Sequence, residues 1–255
     1  MPTRTSQEQF DKQAAHYNAQ WDAWNAESLE WLLKHAECAP SQRLLDVATG
    51  AGFTAVAFAA LVAEAVGVDV SEGMLRQARE RARGLSNVVF EQSPAESLPF
   101  PDSSFDRVVC RLAAHHFNSV PRFVSEAYRV LRPGGRLLIA DSSIPDNAPE
   151  IDSWQNRLER LRDGSHVRNY SPSEWREFAT GAGFTLERIE HIRELNPITL
   201  NAWLEKAGCV GEAAAQVRRM FAEAPAAAVH TFSLAPLPGG DFAFQWVRVV
   251  LSAAR

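Results

Sequence analysis

Apolar residues follow two periods in this chain, and the change between them divides it. Short unbroken apolar runs at 44–47, 65–69, 87–91, 105–110 and 136–140 read as strands. Without polar alternation, such runs describe strands buried on both faces. Between them, 53–62, 71–82 and 120–131 carry helical spacing. Ser71 is a plausible N-cap, and Pro133-Gly134-Gly135 reads as the turn that closes the third helix. Repeated strand–helix units with short turns predict a right-handed parallel sheet covered by helices.

The flanks differ. Phe10, Ala14 and Tyr17 recur at helical spacing in 6–19, and a second helix is expected over 28–37, stopped by Pro40. Neither belongs to a sheet repeat, so both are expected over its edge. Residues 142–170 show no strand pattern. They hold a Pro/Asp/Asn-rich turn, a helix around 154–161 and the loop R-D-G-S-H-V-R-N-Y. Ser171-Pro172-Ser173-Glu174 then starts a helix, with an N-cap, Pro at N1 and Glu at N3. A sixth strand is expected over 184–195, helix over 199–223, and a last strand over 242–251.

Composition narrows the class. The chain has 255 residues and a formal net charge of −5, with no basic block, so nucleic acid is not expected as a partner. Three widely spaced cysteines form no metal or disulfide pattern and fit a reducing, cytoplasmic setting. The first thirty residues contain no apolar signal core, and the longest apolar run, 53–63, is too short to span a bilayer. No membrane insertion and no metal are expected.

The chemistry starts at R-L-L-D-V-A-T-G-A-G, residues 43–52. Gly50 and Gly52 let the backbone turn tightly and approach a ligand. Asp46, ending the first strand, can accept from loop amides or a ligand amine. Asp69, ending the second, can take two hydrogen bonds from a ribose diol. Residues 50–55 also satisfy G-x-G-x-x-[GA], so this turn alone is open to a dinucleotide.

Three further segments narrow the choice: V-D-V-S-E-G-M-L at 68–75, S-P-A-E-S-L-P-F-P-D-S-S-F-D at 93–106 and V-L-R-P-G-G-R-L-L-I-A-D at 130–141. With L-L-D-V-A-T-G-A-G they resemble the class I S-adenosylmethionine-dependent methyltransferases, within them the group of ubiquinone/menaquinone C-methyltransferases and many small-molecule enzymes. The resemblance implies a Rossmann-like, doubly wound α/β fold: seven mostly parallel strands with an antiparallel last strand, helices on both faces and a helical cap. It implies one domain over 1–255, with lid helices in 1–39, a cofactor-binding core at 40–141, and cap segments at 142–170 and 199–229. The second cap segment is alternatively a homodimer face.

Roles follow residue by residue. The resemblance places the backbone of Ala48, Gly50 and Gly52 along the methionine and ribose, and Asp69 on the ribose hydroxyls. Val70 and Met74 would sandwich the adenine, with Ala95 and Glu96 at its edge. The backbone from Cys110 through Arg111 to Leu112 would face the methionine amine, and Tyr17 would close over the cofactor. Two positions depart from the family pattern. Ala48 replaces the first glycine of the loop, and Pro94 stands where an adenine-binding acid is usual.

The expected reaction is methyl transfer to an O, C or N nucleophile of a small organic acceptor. The alternative is an S-adenosylmethionine-binding protein with a non-methylating or sensing role. His115 and His116, directly after the fourth strand, are the candidate general bases, because ligands bind at the carboxyl ends of strands in open sheets. Arg162, His166, Arg168 and Tyr170 are candidate acceptor contacts for an anionic or phenolic molecule. Trp21, Trp24, Trp154 and Trp203 lie outside the sheet core and suggest an apolar acceptor pocket.

Overall fold

The computed structural model describes residues 5–14 and 24–255. Helix α1 (Ser6–Gln13) and α2 (Ala26–His35) precede the sheet. The alternating core runs β1 (Arg43–Val47), α3 (Phe53–Phe58), β2 (Glu64–Asp69), α4 (Glu72–Arg81), β3 (Val88–Gln92), β4 (Phe105–Arg111), α5 (Val120–Val130) and β5 (Leu131–Ser142). There follow α6 (Pro149–Arg162), α7 (Pro172–Gly181), β6 (Thr185–Arg193), β7 (Ile198–Thr199), α8 (Leu200–Lys206), α9 (Gly211–Ala222), α10 (Ala226–Thr231), β8 (Ala235–Leu237), β9 (Asp241–Phe244) and β10 (Val247–Ala254).

The main sheet has seven strands in the order β3-β2-β1-β4-β5-β10-β6. Strand β10 is antiparallel to both neighbours, and the other pairings are parallel. Side chains alternate between two buried faces. Leu45, Val108, Leu137 and Ile139 pack under α5 and α7, beside Phe123 and Trp175. Leu44, Val109, Leu138 and Val250 pack on the other face against Leu32 of α2 and Phe58 of α3. Unbroken apolar runs are the sequence consequence of this double burial.

A second core lies above the carboxyl edge. Trp154 and Leu158 of α6, Trp203 and Leu204 of α8, Val217 and Phe221 of α9, and Phe244 and Trp246 form one buried cluster. A three-stranded sheet, β7-β9-β8, belongs to this cap.

Here the chain departs from the expected elements. The helix expected over 199–223 is broken at Gly208 and Gly211, both with left-handed φ of 63° and 64°. The strand expected over 242–251 is two strands. Phe242 and Phe244 lie in the cap sheet, and the main sheet begins again at Val247. Both stretches are apolar, and apolarity does not tell a strand which core it joins. Pro133-Gly134-Gly135 lies within β5, as an irregularity between the Phe105–Leu131 and Arg107–Arg136 pairings, with Gly134 at φ 78°. Helix α3 tightens into a 3₁₀ turn at Ala59–Leu61.

Caps fall where the sequence puts them. Ser171 and Glu174 form a capping box on α7, and Ser71 accepts from Met74 N; the structure adds Ser119, which accepts from Arg122 N at the start of α5. Among the described residues, no helix is long and apolar enough to cross a membrane.

Gly67 in β2 has no space for a side chain: a Cβ there would stand 2.6 Å from the Phe90 ring and 2.8 Å from Thr49 Oγ1. Gly67→Ala is expected to destabilise the protein by ~1–3 kcal/mol through overpacking under the β1 loop, read as a lower midpoint in denaturant melts.

Candidate active site

Four strand ends meet at one opening. The turns after β1, β2, β4 and the segment after β3 surround a cavity of about 550 Å³, closed on the far side by α1. Ala48, Gly50, Asp69 and Val70 form one part of the wall. Met74, Ala95, Glu96 and Arg111 form another.

Asp69 is the organising group of this wall. Gly50 N donates to its Oδ2 at 2.9 Å, and Ser71 N donates to Oδ1 at 2.9 Å. Each oxygen keeps a lone pair. Burial raises its pKa to about 6 against the pull of those two amides. Asp46 works differently. It is buried outside the cavity wall and accepts from Thr49 Oγ1 at 2.6 Å and Ala55 N at 3.0 Å. Burial pushes its pKa up to about 7, with these donors and Arg111 opposing. Its place is under the loop, holding the turn to α3.

Two more predicted residues support the cavity without lining it. Gly52 is the left-handed N-cap of α3, and a Cβ there would meet Ala78 Cβ at 2.9 Å. Cys110 is fully buried beneath the β4 end. Glu96 lines the cavity, but its Oε1 accepts from Asn118 N and Ser119 N at the start of α5. Pro94 also lines the cavity. Tyr17 and Trp21 lie outside the described residues.

Helix α1 is latched on. Asp11 Oδ1 accepts from Ser71 Oγ at 2.6 Å and Gly73 N at 3.0 Å, at the start of α4. Ser6 Oγ donates to the His116 carbonyl, and Phe10 meets the His116 ring edge-on at 4.9 Å between centroids.

A second, smaller recess of about 40 Å³ opens behind His116. It shares Phe10, Leu112 and His116 with the main cavity. Leu112 has a left-handed φ of 56°, the kind of backbone strain that collects at functional sites. Trp203 and Trp246 form apolar walls, and His115, Glu159, Arg162 and Arg248 are among the polar ones.

The two histidines are held in opposite states. His115 Nδ1 lies 2.6 Å from Asp141 Oδ1, and His115 N donates to Oδ2 at 2.9 Å. Burial disfavours its charge, yet the Asp141 carboxylate more than offsets this and the pKa is raised. His116 is pushed down to about 4 by burial and by His115. Ser165 Oγ donates its one proton to Asp163 Oδ1 at 2.7 Å, so the 3.0 Å contact with His116 Nδ1 needs the proton on His116. Both imidazoles therefore bear Nδ1–H and present an Nε2 lone pair when neutral.

Of the four predicted acceptor contacts, only Arg162 borders the recess. Its Nε donates to the Trp203 carbonyl, and its guanidinium stacks 4.3 Å from the Trp203 ring. His166 is buried, with Nε2 2.9 Å from Asn156 Oδ1. Arg168 pairs with Asp152 and Glu174 in a separate surface depression. Tyr170 packs edge-on against Trp175 and Phe178. These three lie outside both cavity walls, because the 165–170 loop turns its backbone inward. Val167 N and Arg168 N both donate to the His115 carbonyl.

Sequence reasoning missed Asp141, Glu159, Asp163, Arg248 and Trp246. Asp141 had a signal: L-L-I-A-D ends a strand in an acid, as L-L-D-V and V-G-V-D do. The others come from the cap and the last strand, whose placement the sequence did not reveal.

Ala48 occupies a left-handed conformation at φ 56°. A side chain there costs about 1–2 kcal/mol, partly offset by the greater unfolded-state freedom of glycine. Ala48→Gly is therefore expected to stabilise the protein by ~1 kcal/mol, measured by chemical denaturation.

Comparison with known proteins agrees with this geometry. A family model described as Methyltransferase domain matches residues 45–139, from β1 through β5. The uncharacterized methyltransferase YcgJ of Bacillus subtilis (strain 168) is 40% identical over 218 residues, covering 84% of both chains. Its crystal structure superimposes with a TM-score of 0.85 over 90% of this chain and 98% of that one, at 37% identity. A second solved structure, from Bacillus halodurans C-125, gives 0.83 at 33% identity, over 89% of this chain and 98% of its own. A demethylmenaquinone methyltransferase of Symbiobacterium thermophilum is 38% identical over 152 residues, 54% of this chain and 59% of its own. With a cavity at the carboxyl edge of a 3-2-1-4-5-10-6 sheet, the chain belongs to the class I S-adenosylmethionine-dependent methyltransferases.

Proposed function

We propose that this enzyme methylates a small organic acceptor at a nucleophile deprotonated by His115, and that the acceptor reaches the cofactor past Leu112, Phe10 and His116. The observation that carries the reading is that His115, paired with Asp141 behind it, borders the recess that adjoins the main cavity.

The residues present fit S-adenosylmethionine. Asp69, held by Gly50 N and Ser71 N, keeps a lone pair on each oxygen for a ribose diol. Met74 and Val70 offer apolar surface to the adenine, and Ala95 and Pro94 form the wall beyond the β3 end. Arg111, with Nε on Thr54 Oγ1 at 3.0 Å, brings a positive charge to the end of β4 for the methionine carboxylate. When bound, S-adenosylmethionine supplies a methyl group on a positively charged sulfur that leaves as a neutral thioether.

The rest of the task falls to this chain's residues. Asp141 fixes His115 in the Nδ1–H tautomer and stabilises the imidazolium formed on proton uptake. Nε2 is then the accepting atom. His116, kept neutral by burial and its charged neighbour, adds no second positive charge beside the sulfonium position. Phe10 packs over His116, and the Asp11 latch holds α1 across the cavity, limiting water.

His115→Gln is expected to lower the methyl-transfer rate ~10²–10⁴-fold for a hydroxyl or phenol acceptor while S-adenosylhomocysteine affinity stays unchanged. Turnover with a tritiated methyl donor and titration calorimetry measure the two. Equal turnover in the variant rules the base out. The pH profile carries a sign. A base must be deprotonated, and His115 is raised, so kcat/KM should fall as pH drops through a pKa above the ordinary imidazole value of about 6.5. Asp141→Asn should shift that limb to lower pH.

Cofactor binding should titrate separately. The ribose needs Asp69 as a carboxylate, so S-adenosylhomocysteine affinity should weaken as pH falls through about 6. Affinity independent of pH between 5 and 8, measured calorimetrically, would count against the ribose role.

A further inference from the structure

The small recess is better matched to one kind of acceptor than to another. Its walls combine Trp203, Trp246 and Ile198 with Glu159, Asp163 and His115. Its volume, about 40 Å³, admits a small polar group rather than a whole molecule. The body of an acceptor must therefore remain on the main-cavity side.

Glu159 is underused. It is 5% exposed, and among the described residues its carboxylate has one hydrogen-bonded contact, with Arg162 Nη1 at the long distance of 3.5 Å. Burial raises its pKa. One helical turn earlier on the same face of α6, Gln155 is fully buried, and among the described residues neither amide atom has a partner. Buried polar groups are normally satisfied, so this face carries hydrogen-bonding capacity that the protein leaves open.

The cations are already engaged. Arg248 donates to Ser142 Oγ at 2.5 Å and Asn25 Oδ1 at 2.8 Å, and its Nε lies 3.5 Å from Glu194 Oε1. Arg162 serves the Trp203 carbonyl and Glu159. Asp141, Glu159, Asp163 and Glu194 face these two guanidiniums and the His115 imidazole. That set has no surplus positive charge for an anion.

We infer that the acceptor is an uncharged molecule with two neighbouring hydroxyl groups, of catechol or vicinal-diol type, and that Glu159 binds the hydroxyl that is not methylated. The recess is small enough for His115 and Glu159 to serve adjacent hydroxyls. One hydroxyl donates to Glu159 and sets the orientation. The other loses its proton to His115 Nε2 as its oxygen gains the methyl carbon, and sulfur keeps the pair of the broken S–C bond. This assignment rests on the methyl-transfer reading above and deepens it to a substrate class.

The test uses the full chain saturated with S-adenosylhomocysteine and two probes of similar size, catechol and salicylate, titrated by calorimetry. Catechol is expected to bind ~10-fold more tightly than salicylate, and Glu159→Ala to weaken catechol ~10-fold or more, as for a lost hydrogen bond to a charged group. Glu159→Gln, which keeps a carbonyl acceptor, should retain most of that affinity. Salicylate binding as tightly as catechol, binding of neither probe, or unchanged catechol affinity in Glu159→Ala overturns the assignment. S-adenosylhomocysteine binding by both variants shows that they are folded. Its failure in the unmodified protein would instead remove the methyltransferase reading on which this one stands.

Discussion

The site depends on one carboxylate at the end of β2. Asp69 joins the loop after β1 to the start of α4 through Gly50 N and Ser71 N. Ser71 caps α4 and also donates to Asp11, so the same corner holds α1 over the cavity. The cavity wall and the helix that closes it thus share an anchor. The loop amides hold a buried acid whose remaining lone pairs are available to a diol, and burial alone would neutralise that acid. Hydrogen bonding keeps its ionised form within reach of physiological pH.

The recess is built by the same device with one partner added. Asp141 lies near the end of β5 as Asp69 lies at the end of β2, and to the amides of His115 and Ser142 it adds an imidazole. The result is one histidine that gains charge readily and a neighbour, 4.2 Å away between ring centroids, that resists it. Pairs of titratable groups driven apart in this way allow separate proton-handling and positioning roles. The cap completes the chamber. Its own aromatic core, around Trp154, Trp203 and Phe221, keeps α6 rigid enough to present Glu159 and Arg162 at the carboxyl edge.

Much of the sheet could be read from the chain because its central strands are buried on both faces and most helices on one. Those periods are local. The glycine turn and its downstream acids were legible for a similar reason: strand ends, tight turns and caps impose requirements on particular residues. Ala48 shows the limit of such rules. The backbone there takes the left-handed conformation of the usual glycine although the residue is not one. Asp46, Gly52 and Cys110 were located correctly along the chain, but they stand behind the cavity wall rather than in it.

The cap was read poorly. Arg168 and Tyr170 are charged and aromatic residues in a loop of the right region, yet they face Asp152, Glu174, Trp175 and Phe178 instead of the recess. Glu159 and Arg248, which do face it, look like an ordinary polar position of a helix and an isolated charge in an apolar strand. By itself the sequence determined the parallel core, the glycine turn that lines the cavity and the family, since these follow from local periodicity and backbone geometry. Only the tertiary structure decided which cap residues meet His115, because that depends on how a second apolar core docks across the sheet, and one-dimensional patterning carries no information about which face of α6 or β10 is left looking inward.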